Sequence, residues 1–195
     1  MVEFTVEPIL AVLASVALVW AAVIDVRTHL IPRIAGFGIL AIGLGYLLLN
    51  ALWLESAFFL AAIWGSRGGV WRLPILVLAV LLLSNDLGSL PYVIGILYVL
   101  AIFEFGWFGG GDAQLAFGLV ALGRDWWILA YLFGGTIILG FAVMFRRHGF
   151  GGGIKRSWWV FRNLNSPDEE AIKFPWAVLA STGGLIYMWV FPGLM

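Results

Sequence analysis

Eight apolar segments follow one another through this chain, at about 8–26, 34–50, 52–65, 73–84, 90–108, 113–123, 126–145 and 174–192. Most connectors between them are only a few residues long. A soluble domain does not need so much apolar surface: 63% of the 195 residues are hydrophobic and 11% are charged. The mean hydropathy is +1.02. The pattern predicts an all-α, polytopic transmembrane helical protein. No polar stretch is long enough to fold separately, so 1–195 reads as a single domain. Segments 52–65, 73–84 and 113–123 are shorter than the roughly 20 residues a full span needs, so hydropathy alone leaves open whether they cross or re-enter.

Charge supplies the parity. If all eight segments cross, one face receives Arg27, Arg33, Arg67, Arg72, Arg146, Arg147, Lys155, Arg156, Arg162 and Lys173, and the other only Arg124. The positive-inside rule makes the first face cytoplasmic. Six crossings, without 52–65 and 73–84, keep the parity but leave Arg67 and Arg72 outside. Eight crossings, with both termini outside, are the expectation and six the alternative. Glu3 and Glu7 stand where a signal peptide has a basic n-region, and no A-x-A-like pattern follows. The first segment is therefore expected to be a retained span. Tryptophans at 53, 64, 71, 107, 126, 127, 158, 159, 176 and 189 lie near segment ends, as an aromatic belt does. The longest polar stretch, about 146–173, falls on the cytoplasmic face. Its portion 157–164, with Trp158, Trp159, Val160 and Phe161 beside Arg162, suits the headgroup plane. The formal net charge is zero, so nucleic acid is not an expected partner. The absence of cysteine excludes disulfides, cysteine-ligated zinc and thiol nucleophiles.

Gly109-Gly110-Gly111-Asp112 lies between two apolar runs. A carboxylate at membrane depth costs about 2.5–3.5 kcal/mol on insertion scales, so its presence there points to function. Three glycines let the backbone bend tightly and approach another chain closely. An aspartate on such a hinge at a membrane face suggests a site that handles a peptide. Sorting the other acids by face nominates its partner. Glu3, Glu7, Glu55, Asp86 and Asp125 fall on the outer side, and Asp168, Glu169 and Glu170 in the cytoplasmic loop. Asp25 remains, at the cytoplasmic end of the first segment, at the same depth as Asp112. Glu104, two turns before Asp112, suits pairing with a neighbouring helix or tuning of the site.

Two carboxylates a few Å apart share one proton. The ionised member takes a proton from water while the protonated member polarises a scissile carbonyl, with no metal or covalent intermediate. No cofactor is expected for such a pair. Each aspartate also has a plainer reading. Asp25 could pair with Arg27 at the membrane edge, and Asp112 could be the N-cap of the helix that follows.

These residues resemble a known family. Gly109-Gly110-Gly111-Asp112 matches the G-x-G-D motif of intramembrane aspartyl proteases. Asp25-Val26-Arg27 followed by Ile31-Pro32 resembles the first-aspartate segment of type IV prepilin peptidases and archaeal preflagellin peptidases. Lys173-Phe174-Pro175-Trp176-Ala177 resembles the approach to the family's last helix. The order and spacing fit over most of the chain. The resemblance implies a membrane aspartic endopeptidase that removes a short basic leader from pilin-like or archaellin-like precursors at the cytoplasmic face of the cell membrane. Asp25 and Asp112 would be catalytic. Gly109, Gly110, Gly111, Arg27, Pro32, Gln114, Glu104, Lys173 and Pro175 would bind substrate or form the hinge. Asp168, Glu169 and Glu170 could attract the leader. The chain departs from the family at Arg33, where asparagine is usual, and at Gln114, where lysine is usual. It lacks the cysteine-rich segment of bifunctional members, which implies a peptidase without N-methyltransferase activity. Ile24 before Asp25 and Trp176 after Pro175 argue against the presenilin branch. Two other classes remain open: a proton- or cation-coupled transporter using the same carboxylates, and a non-catalytic assembly subunit.

Overall fold

A computed structural model of the chain describes residues 8–28, 31–65, 72–104, 110–130, 145–146, 148–155 and 176–190. Their regular structure is helical, and no strand occurs among them. The helices are α1 Pro8–Thr28, α2 Arg33–Leu49, α3 Trp53–Gly65, α4 Arg72–Asn85, α5 Leu90–Glu104, α6 Gly110–Gly123 and α7 Trp176–Val190. A 3-10 turn, Leu87–Ser89, leads into α5, and short helical stretches occupy 127–130 and 148–155.

Local chemistry sets the boundaries. Pro8 opens α1, where its missing N–H costs no helical hydrogen bond. Pro32 stands extended before α2, and its carbonyl accepts from the N–H groups of Ala35 and Gly36 at 2.9 and 3.2 Å. Asp86 caps the 3-10 turn, accepting from the Gly88 N–H at 2.8 Å.

Neighbour contacts fix the helix directions. Along the α2–α6 seam, Gly36 meets Gln114, Ile39 meets Gly118, and Gly43 meets Gly118 and Ala121. Numbers rise together, so α2 and α6 run parallel. Leu119 with Gly184, and Gly123 with Tyr187, make α6 and α7 parallel as well. Ser181 Oγ donates to Leu18 O at 2.6 Å and Trp189 Nε1 to Ser15 Oγ at 2.9 Å. Numbers there run opposite, so α1 and α7 are antiparallel. One end of the bundle thus gathers the C-terminus of α1 and the N-termini of α2, α6 and α7. The other gathers the C-termini of α2, α6 and α7.

The central rod is α6. From Leu115 to Gly123 every residue is buried, as expected of a helix apolar all round. Glycine lets α2 approach it: a Cβ on Gly118 would stand 2.6 Å from Ile39 O, and one on Gly43 2.8 Å from Gly118 O. By contrast, α1 buries Ala14, Leu18, Ala21 and Asp25 on one stripe and exposes Ile9, Val12, Val16, Val19 and Val23. Likewise α4 exposes Leu73, Leu76, Val77 and Val80. Apolar side chains turned outward along whole helices suit a hydrocarbon solvent.

Among the described residues, two helices are long and apolar enough to cross a membrane: Ile9–Thr28, of 20 residues, and Leu87–Glu104, of 18. At 1.5 Å per residue these reach about 30 and 27 Å. The helices Arg33–Leu49, Trp53–Gly65 and Arg72–Asn85 are apolar but shorter. The expected segment 126–145 falls mostly outside the described residues, as does the loop expected at 146–173.

Candidate functional site

Asp25 closes the buried stripe of α1 and is 3% exposed. It follows Ala14, Leu18 and Ala21 at helical spacing, so its carboxylate turns toward the bundle rather than outward. Arg27 is exposed. Residues two apart on a helix point to different faces, so Arg27 lies on another side of α1 from the buried stripe that ends at Asp25. Thr28 ends the helix and donates its hydroxyl to Ile24 O at 3.0 Å.

Asp112 is partly buried in the first turn of α6, which begins at Gly110. It is the third residue of the helix, so its first-turn place replaces the N-cap reading. A carboxylate there is favoured by the helix dipole, by about 0.3–1 kcal/mol at an exposed site. Gly111 abuts the chain just beyond α1: a Cβ on it would lie 2.8 Å from Ile31 Cβ and 3.3 Å from Ile31 O. The start of the Asp112 helix therefore rests on the residue six positions after Asp25. A Cβ on Gly110 would meet nothing within 4 Å among the described residues.

The neighbouring candidates sort by environment. Pro32 lies between Ile31 and the start of α2, where its carbonyl caps that helix. Gln114 fits the notch left by Gly36, and its Oε1 is buried with no hydrogen-bond partner among the described residues. Glu104, the last residue of α5, pairs with Arg72 at 3.0 Å. Gly109, Lys173 and Pro175 lie outside the described residues, as do Asp168, Glu169 and Glu170. The structure thus brings Asp25, Asp112, Gly111, Pro32, Gln114 and Glu104 to one end of the bundle. Two carboxylates there, one buried and one at a helix N-terminus, can exchange a proton with a bound group.

The opposite end holds a constellation that sequence reasoning did not assemble. Arg124 Nη2 lies 3.0 Å from Glu55 Oε1, and both side chains are largely buried. Ser89 Oγ donates to the same Glu55 oxygen at 3.4 Å, and Tyr92 OH donates to the Glu55 carbonyl at 3.1 Å. Arg124 adopts φ 47°, the left-handed region that favours glycine. Such a conformation costs a non-glycine residue of order 1–3 kcal/mol and persists where surrounding contacts over-determine it. Asp125 follows. Burial pushes its carboxyl up from the usual carboxylate value, while hydrogen bonds from the backbone N–H groups of Trp127 and Trp126 pull it back. Parity had already put Glu55 and Arg124 on one face. A lone cation on that face, with an acid at the same depth, was the available signal.

Compared with protein-family models, curated proteins and solved structures, the chain finds no match in any of the three.

Proposed function

We propose that this chain is a membrane aspartic endopeptidase of the G-x-G-D type, with Asp25 and Asp112 as its catalytic pair. The observation that carries the reading is the burial of Asp25 on the core stripe of α1, at the same bundle end as Asp112. An ionisable side chain at membrane depth is by default a functional candidate. The contact of Gly111 with Ile31 brings the second aspartate's helix against the segment that follows the first.

The membrane reading is supported by the outward apolar faces of α1 and α4 and by the direction of α1, opposed to those of α2, α6 and α7. In this reading the segments cross eight times and the aspartate end is cytoplasmic. The one basic residue of the sparse face, Arg124, is drawn into the bundle by Glu55, so it adds little loop charge to oppose that orientation. The substrate is a pilin-like or archaellin-like precursor whose leader junction meets the membrane at this end. One aspartate, ionised, takes a proton from water as its oxygen attacks the scissile carbonyl. The other donates a proton to the carbonyl oxygen. Collapse of the tetrahedral intermediate returns a proton to the leaving amine, and the pair regains its shared proton.

The test is cleavage of a purified pilin-like precursor by wild type, Asp25→Asn and Asp112→Asn in detergent. Wild type should shorten the precursor at its leader junction. Each variant should lose at least about 100-fold in rate, the scale of one acid–base group, while unfolding near the wild-type temperature. Variants that cut as well as wild type remove the pair from the mechanism. A wild type inert on several precursors removes the peptidase reading and moves the work to proton flux in liposomes.

A further inference from the structure

We infer that Arg124 is a positioning residue for Asp112: its buried pair with Glu55 anchors the far end of α6 and so sets where the near end stands. The inference rests on the peptidase reading for its kinetic arm only. Asp112 and Arg124 are twelve positions apart on one rod, about 18 Å along its axis.

The two ends of that rod are held differently. At the Asp112 end, a Cβ on Gly110 would meet nothing within 4 Å among the described residues, and Gly111 touches Ile31. At the Arg124 end, Gly123 packs on Tyr187 of α7, where a Cβ would stand 2.9 Å from the ring. The Arg124 side chain is 13% exposed and reaches Glu55, whose own side chain is 10% exposed. Ser89 and Tyr92 add hydrogen bonds from the 3-10 turn and α5. Tyr92 in turn packs edge-on to Phe58 of α3, with ring centroids 6.0 Å apart. Four elements converge on one guanidinium–carboxylate contact.

Directionality is what this contact adds. Most of α6 is sheathed in apolar side chains, and apolar burial is non-directional. An ion pair of fixed geometry sets rotation and height, and register is the best-attested use of such buried groups. The backbone at Arg124 points the same way. A left-handed residue at a helix end is usually glycine. Here arginine holds that conformation, and glycine stands one position earlier. Glycine at 124 would relax the backbone but could not reach Glu55.

The test separates position from stability. In the double variant Glu55→Leu/Arg124→Met, apolar side chains replace the pair, which often preserves stability, but the tether is gone. The chain has no cysteine, so Ile31→Cys/Gly111→Cys puts a single cross-linkable pair at the start of α6. A Cβ at 111 stands 2.8 Å from that of residue 31, closer than the roughly 3.8 Å of a relaxed disulfide, so its rate is read against the same cysteine pair in an otherwise wild-type chain. With the double variant, the unfolding temperature should stay near that of wild type. Oxidative cross-linking between 31 and 111 should slow severalfold, and kcat on precursor should fall at least tenfold with KM little changed. Equal cross-linking and equal kcat in a stable double variant overturn the inference and leave the pair as a stabilising contact only. If that double variant does not fold, Arg124→Lys serves instead, since it keeps the charge and loses the planar fork. Slower cross-linking in it supports the inference, and unchanged cross-linking overturns it. If wild type cleaves no precursor, the peptidase reading falls and the cross-linking rates alone decide the positioning role.

Discussion

Two ion pairs of the same length stand at opposite ends of this bundle. Arg72–Glu104 and Arg124–Glu55 each measure 3.0 Å. The first has side chains 58% and 34% exposed, the second 13% and 10%. Equal distance therefore does not mean equal strength. Water competes for the first pair and screens it. The second has lost most of its water, so each charge depends on the other. The difference follows what surrounds the two ends. The Glu55 end is closed by contacts from α3, α5 and the chain just past α6, whereas the aspartate end gathers the proposed site residues on helix termini and glycine.

Removing one partner is the strongest way to break this comparison. Glu55→Ala leaves the Arg124 guanidinium buried beside no carboxylate at that position. Breaking a buried pair in this way costs about 3–5 kcal/mol. For a chain of this size that is on the order of a 10 °C fall in unfolding temperature, measured in detergent by loss of helical circular dichroism. A fall of only a degree or two would mean that water reaches the pair, and the contrast between the two ends would collapse.

Glycine sharpens the same point, because environment again decides the effect of one chemical change. Along α2, Gly43 faces α6, whereas a Cβ on Gly38 or Gly45 would meet nothing within 4 Å among the described residues. On the facing helix, a Cβ at Gly118 would fall on Ile39 Cγ2 and stand 2.6 Å from Ile39 O. Backbone cannot swing aside as a side chain can. Gly118→Ala should cost about 1–3 kcal/mol by overpacking. Gly45→Ala should be neutral or should stabilise by up to about 1 kcal/mol, through lower unfolded-chain entropy and better helix propensity. Thermal unfolding of the two variants side by side checks this. Equal effects would mean that α2 and α6 are not in close contact.

Some of this was legible in the sequence, and the reason differs from residue to residue. Helix boundaries were readable where local chemistry fixes them: Pro32 before α2 and Asp86 before its turn. Asp25 could be singled out because charge parity sorts acids by face. Its burial follows from Ala14, Leu18 and Ala21 at the same helical spacing. The partner of Glu55 was not readable. Arg124 is 69 positions away, and nothing local to either residue encodes the contact. The α2–α6 seam was hidden for the same reason. Gly36 and Gly43, like Gly111 and Gly118, are seven apart, but which helix each stripe meets depends on the fold. The short segments 52–65, 73–84 and 113–123 form helices near their expected bounds. Hydropathy could not say how they pack, since apolar runs look alike whether they face lipid or another helix.

The smallest effect belongs to the exposed pair, and it probes the aspartate end directly. Arg72 opens α4 and Glu104 closes α5, just before the five residues that lead to Gly110. Exposed pairs contribute about 0–1 kcal/mol. Arg72→Gln should therefore shift the unfolding temperature by no more than a few degrees. The wild-type advantage should shrink as salt rises from low concentration to about 1 M, where the Debye length is near 3 Å. At the other end, the Arg124–Glu55 contribution should persist over the same salt range, because burial keeps ions away from it. Measuring Arg72→Gln and Arg124→Gln at both salt concentrations puts the two pairs on one scale. If both lose their effect in high salt, the Glu55 end is as wet as the aspartate end. If neither does, Glu104 is held in a drier place than its 34% exposure implies, and its carboxylate joins those of Asp25 and Asp112 in the proposed site.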